Sequence, residues 1–165
     1  MKFRNHIITF PQNRVWRTYP GGRVLDLLAG KPHPDDTHFP EDWIGSVTRA
    51  KNPGREDINE GVSTVDVGGK QLTFDELLAT DPEYYLGEDH LKAFGPHPRL
   101  LVKLLDSAIR LHFQCHPTAA FAQSRMDEPS GKAEAYHILA IREEVENPYV
   151  YIGFQRSPEK ADLKQ

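Results

Sequence analysis

From Ile109 to His116 the chain alternates without a fault: Ile109, Leu111, Phe113 and Cys115 on one side, Arg110, His112, Gln114 and His116 on the other. A period of two belongs to a strand with one apolar and one polar face. The segment therefore predicts a β-strand, and its apolar face demands a second layer to pack against. Pro117 stops it, because proline donates no ladder hydrogen bond. Shorter β-type runs are expected at Lys2–Thr9, Ser63–Val67, Leu100–Leu105, Lys132–Ile141 and Tyr149–Gln155, with a turn at Gly68-Gly69.

Helical signals are confined to the middle. Thr73 followed by Phe74-Asp75-Glu76-Leu77-Leu78 reads as an N-cap with acidic residues in the first turn. A second piece runs from Asp81 to Phe94, with Leu86, Leu91 and Phe94 as its apolar contacts and Pro96 and Pro98 beyond it. The first fifty residues carry Pro11, Pro20, Gly21, Gly22, Gly30, Pro32, Pro34 and Pro40, and predict loops and short strands. Ser157-Pro158-Glu159 reads as the opening of a further helix. The expected fold class is mainly β with a helical insertion near 73–94.

The length of 165 residues fits one domain of roughly 100–200 residues. A formal net charge of −4 argues against a basic nucleic-acid binder and offers no polybasic membrane surface. The lone Cys115 excludes an intramolecular disulfide, and on the apolar side of its strand it reads as a small buried hydrophobe. Residues 1–10 lack the apolar region of a signal peptide, and no apolar run approaches the roughly 20 residues of a membrane helix. The expectation is a cytoplasmic protein without nucleic-acid or membrane partners. No G-x-S-x-G, G-x-x-x-x-G-K-[ST] or G-x-G-x-x-G motif occurs, so serine hydrolase, P-loop and dinucleotide readings lack support.

Chemistry concentrates near residues 112–136. Gln114 and His116 share one strand face, as do Lys132, Glu134 and Tyr136 on the later candidate strand. If the two strands face one another, an amide oxygen, an imidazole and a carboxylate converge, a donor set suited to a divalent metal such as Zn²⁺. The same alternation also describes an ordinary solvated face. His112 lies on that face too. His6, His33, His38, His90 and His97 read as surface histidines.

The order of several short blocks resembles the N-terminal part of the class I mannose-6-phosphate isomerases, which are zinc-dependent cupins. Glu41-Asp42-Trp43-Ile44-Gly45-Ser46 is similar to the family's Glu-x-Trp block. Residues 73–93 resemble its helical insertion, and Leu101–Asp106 the strand before its metal motif. Gln114-Cys115-His116-Pro117 matches its Gln-x-His-Pro motif, Lys132-Ala133-Glu134 its Lys-x-Glu motif, and Tyr151-Ile152-Gly153-Phe154 its next strand.

The resemblance implies a cupin-like jelly-roll barrel, incomplete at its C-terminus, with residues 1–165 forming part of one catalytic domain. It implies Gln114, His116 and Glu134 as three of four Zn²⁺ ligands, the fourth being a His on a later strand. Lys132 and Glu41 take catalytic positions; Trp16, His112 and Lys132 face the substrate, a sugar phosphate. The implied reaction interconverts mannose 6-phosphate and fructose 6-phosphate through an enediol, with zinc as Lewis acid and a general base that this chain does not identify. Turnover is then expected of the complete protein only. His112 departs from the family, which has a serine there. Two alternatives stand beside this reading: a non-catalytic cupin-like module binding a sugar or a partner, and another metal-dependent cupin such as an iron oxygenase, against which Gln114 argues.

Overall fold

Strand β1 (Arg14–Val15) lies antiparallel to β2 (Glu41–Ile44), and β2 lies antiparallel to β5 (Val102–Leu105), in the order β1-β2-β5. The computed structural model describes residues 4–5, 7–159 and 161. It divides into two units, Met1–Phe113 and Gln114–Gln165. Antiparallel sheets and short helices make the first unit a mixed α/β assembly, and its sheets do not close into a barrel.

Two glycines and an aspartate hold the three-stranded sheet to its first helix, α1 (Arg23–Leu28). Gly21 passes so close to β5's end that a Cβ there would meet the Asp106 carbonyl oxygen at 2.0 Å. Gly22, at φ 101°, precedes the helix in a left-handed conformation that favours glycine. The Asp106 carboxylate accepts from the amides of Gly22 (3.2 Å) and Val24 (2.7 Å), which satisfies donors that a helix start leaves open. On α1 itself, buried Asp26 receives Arg14 at 2.7 Å and Lys31 at 2.8 Å.

The second sheet is the hairpin of β3 (Thr64–Val67) and β4 (Lys70–Thr73). Gly68 and Gly69, at φ 64° and 80°, make its two-residue turn, where both positions need positive φ. Alternation on β3 points Val65 and Val67 into a small core with Leu77 of α2 (Phe74–Thr80), and Ile8, Phe10, Leu72, Phe74 and Tyr85 pack around it. Thr73 caps α2, and Glu76 reaches back to accept from the Thr73 amide at 2.9 Å. The second helical piece breaks at Gly87 into α3 (Pro82–Leu86) and α4 (Glu88–Phe94), because Gly87 adopts φ 82°, ψ 152°. The segment 73–94 is therefore largely helical as expected, in three short pieces.

Asn13 ties β2 to the loop that leads into β3. Its side-chain amide donates to the carbonyls of Trp43 (3.0 Å) and Gly61 (2.8 Å), and its backbone amide donates to Asp42 (2.8 Å). Buried Ser63 adds a hydroxyl bond to the Trp43 carbonyl at 3.0 Å.

The second unit carries one described helix, α5 (Ala119–Arg125), whose N-cap Thr118 accepts from the Phe121 amide. Several sequence expectations fail here. Among the described residues no strand forms at 109–116, 132–141 or 149–155, and residues 7–9 are not a strand either. Residues 2, 3 and 6 of the expected first strand lie outside the description. Residues 157–159 are not helical, and the rest of that expected helix falls largely outside the described residues. Alternation specifies which face a side chain takes once a strand is paired; it supplies no hydrogen-bonding partner. Consistent with an unpaired segment, Ile138, Leu139, Val150, Tyr151 and Ile152 are all exposed. Two helices, α1 and α5, were not expected. For α5 the signal was Thr118 ahead of Ala119-Ala120-Phe121-Ala122, an N-cap before good helix formers.

Candidate metal centre

The Gln-x-His-Pro and Lys-x-Glu segments belong to the second unit and lie against each other by backbone contact. The Lys132 amide donates to the Pro117 carbonyl at 3.2 Å. Gly131 makes the approach possible: a Cβ there would lie 2.6 Å from the Pro117 oxygen and 2.8 Å from the Ala119 nitrogen. Pro117 ends the first segment, Thr118 starts α5, and the turn between them leaves His116 beside the incoming loop.

This contact brings three of the expected side chains together. His116 Nε2 lies 2.5 Å from Glu134 Oε2, and Lys132 Nζ lies 3.3 Å from the same oxygen. The Glu134 side chain is 13% exposed, against 51% for Lys132, so the carboxylate sits beneath its cationic partner. Gln114 and His112 are exposed, and Tyr136 is 62% exposed. Cys115 is exposed as well, contrary to the buried hydrophobe expected of it, because its strand does not pair and no layer covers its apolar side.

An imidazole nitrogen and a carboxylate oxygen in contact, with an amide two residues from the imidazole, are the donor chemistry of a Zn²⁺ site. Two ligands of one tetrahedral zinc, with bonds of roughly 2.0–2.1 Å, would stand roughly 3.3 Å apart. The His116–Glu134 pair is closer, at hydrogen-bonding distance. The residues fit the group chemically, and the pair must open slightly to hold it. Among the described residues no three His, Cys, Asp or Glu side chains form a metal-holding group.

The remaining expected residues, Trp16 and Glu41, lie in the first unit. Glu41 and Trp43 share a face of β2, and β5 places Lys103 directly opposite Trp43. The Glu41 carboxylate is 2% exposed as a residue and receives four donors. Tyr19 Oη at 2.5 Å and Lys103 Nζ at 3.2 Å approach Oε1; Trp43 Nε1 at 2.7 Å and Arg17 Nε at 3.0 Å approach Oε2. Burial, the largest single influence, pushes this carboxyl up. The hydrogen bonds from Tyr19 and Trp43 and the charges of Lys103 and Arg17 together outweigh it and hold Glu41 below the ordinary carboxylate range.

Arg17 extends the network. Its Nη1 donates to Asn52 Oδ1 at 3.1 Å and to the Trp16 carbonyl at 3.3 Å, and Asn52 Nδ2 reaches that carbonyl at 3.0 Å. The Trp16 ring stacks on His38 at 5.6 Å and 23°, with the Arg55 guanidinium 5.4 Å from the indole centroid. His38 Nδ1 donates to the Arg17 carbonyl at 2.8 Å. Sequence reasoning missed Arg17, Tyr19, Asn52 and Lys103. Only Lys103 carried a legible signal, its place in a short apolar run, and that signal acquires meaning once the β2–β5 register is known.

Among the described residues no helix is long and apolar enough to cross a membrane. No family model, no curated protein and no solved structure matches the chain.

Proposed function

We propose that the chain carries the metal-binding segments of a zinc-dependent aldose–ketose isomerase that interconverts mannose 6-phosphate and fructose 6-phosphate, on a scaffold of cupin jelly-roll type. One observation carries the reading. The imidazole of a Gln-x-His-Pro motif and the carboxylate of a Lys-x-Glu motif, separated by a helix and a loop, meet at 2.5 Å with the motif lysine on the same oxygen.

In this reading His116 Nε2, Glu134 Oε2 and the Gln114 amide oxygen hold Zn²⁺. The bound ion supplies Lewis acidity toward the substrate carbonyl. Lys132 keeps its ammonium beside the site, where it donates to an oxygen that gains negative charge as the enediol forms. The resemblance also implies substrate contacts from Trp16 and His112, both residues of the first unit. The base that removes the C2 proton is not among these residues.

The test is turnover of mannose 6-phosphate by the zinc-loaded protein, followed by ³¹P NMR. Fructose 6-phosphate should form, and His116→Ala and Glu134→Ala should abolish its formation. An exposed imidazole at His112, where the resembling family has a serine hydroxyl, favours a second reading: a non-catalytic cupin-like module that binds a sugar or a partner. Zinc binding and sugar-phosphate binding without turnover would select that one.

A further inference from the structure

A carboxylate offers about four lone-pair positions, two on each oxygen. Glu41 has four donors, two on each oxygen, and it is buried. We propose that Glu41 is a positioning residue: a permanent anion that fixes Arg17 and Lys103 on one face of the β1-β2-β5 sheet and, through Arg17, sets the Trp16–His38 ring pair, while taking up no proton during turnover. The last clause rests on the isomerase reading; the rest does not.

The donors explain why the carboxylate does not exchange protons with a ligand. A ligand proton would need a lone pair that Tyr19, Trp43, Arg17 or Lys103 now occupies. Displacing one of them would leave a largely buried polar group unmatched, at a cost of about 1–3 kcal/mol or more for a charged group. The two cations need the anion in turn. The Arg17 and Lys103 side chains are only 19% and 20% exposed, and both reach the same carboxylate. Without its charge, two shielded like charges would face one another, and the longer side chains would turn to solvent.

Arg17 transmits the constraint because its guanidinium is a rigid fork. With Nε on Glu41, Nη1 is aimed at Asn52 and the Trp16 carbonyl, and the plane lies over the Trp43 ring at 4.9 Å. The backbone of Arg17 holds the other ring: its amide donates to the His38 carbonyl at 2.8 Å and its carbonyl receives His38 Nδ1. Trp16 and His38 touch no atom of Glu41 in this chain of bonds, yet their placement depends on it.

Trp16 and Trp43 are the two tryptophans of the chain, so their indole N–H resonances can be assigned with Trp16→Phe. In the wild-type chain the Trp43 indole proton should lie far downfield and stay constant from about pH 5 to about pH 9, moving only in a step below the ordinary carboxylate range near 4.5. Glu41→Gln should remove that step and shift the Trp43 proton upfield. It should also move the resonances of Trp16 and His38, and Glu41→Asp should restore them in part. Arg17→Lys should move Trp16 and His38 while leaving the Trp43 step in place, and this variant decides the matter if Glu41→Gln does not fold.

A Trp43 step within the neutral range would overturn the permanent anion. Unmoved Trp16 and His38 signals in folded Glu41→Gln, or in Arg17→Lys, would overturn the positioning role. In the zinc-loaded protein, Glu41→Gln should keep the acid limb of the kcat–pH profile. Loss of that limb would overturn the claim about turnover. A wild-type protein without isomerase activity would remove the isomerase reading and leave the spectroscopic result standing.

Discussion

His116 Nε2 and Glu134 Oε2 are 2.5 Å apart although eighteen positions separate them in the chain, and the Gly131 backbone lying on Pro117 is what closes that span. A metal at Nε2 competes with any proton on that nitrogen. Zinc should therefore bind more weakly at about pH 5.5 than at about pH 7.5, because protons compete for the ligand atoms. Calorimetric titration at the two pH values checks this, and equal affinities would count against His116 as a ligand. His116→Ala and Glu134→Ala should each weaken binding by roughly a hundredfold or more, beyond the 10–100-fold typical of outer partners.

Gly131→Ala tests the backbone contact itself. The new Cβ would meet main-chain atoms of Pro117, Thr118 and Ala119 at 2.6–2.9 Å, and the backbone has no flexible end to yield. The two segments should separate. Zinc affinity should fall without loss of any ligand, and thermal stability of the second unit should drop by about 1–3 kcal/mol, the usual cost of overpacking. Unchanged zinc affinity would show that the contact does not build the site.

Acid stability follows from two buried carboxylates. Glu41 is held low as described. For Asp26, burial again pushes upward, but hydrogen bonds from Lys31 and Arg14 outweigh it. A carboxylate whose folded pKa lies below its unfolded value stabilises the fold above the unfolded value, and that stability is lost as pH falls through the folded one. Stability should be level above about pH 5 and decline below it, starting near the ordinary carboxylate pKa of about 4. Glu41→Gln should be less stable at neutral pH and should decline less steeply on acidification. Denaturant midpoints measured across this range decide it; a parallel decline would mean that Glu41 contributes nothing to the acid limb.

Leu77 is fully buried between α2 and the β3–β4 hairpin, in contact with Val65 and Val67. Leu77→Ala should cost about 2–5 kcal/mol, a large share of the stability of a unit whose buried apolar core is this small. A chemical denaturation curve gives the value, and a loss under about 1 kcal/mol would mean that the pocket collapses around the gap.

Cys115 is exposed, so a thiol reagent should label it stoichiometrically in the native protein without denaturant. Protection until unfolding would return the residue to the buried apolar face that alternation alone assigns to it.

Local signals determined much of the first unit. The glycine pair at Gly68-Gly69, the Thr73–Glu76 cap and the alternation of Val65 and Val67 each act over a few residues, so the hairpin and the helices that follow it were legible from the chain. His116 and Glu134, which meet in the structure, also sit in short motifs legible from the chain. Tertiary structure decided the rest. The alternation from Ile109 to His116 did not become a strand, because a ladder needs a partner that no local pattern supplies. The β2–β5 register put Lys103 over Trp43, and only then did Glu41 acquire Lys103 beside Tyr19, Trp43 and Arg17. Contacts within a turn or a cap are set by neighbours in sequence. The partners of a buried charge come from distant segments, and only the folded chain selects them.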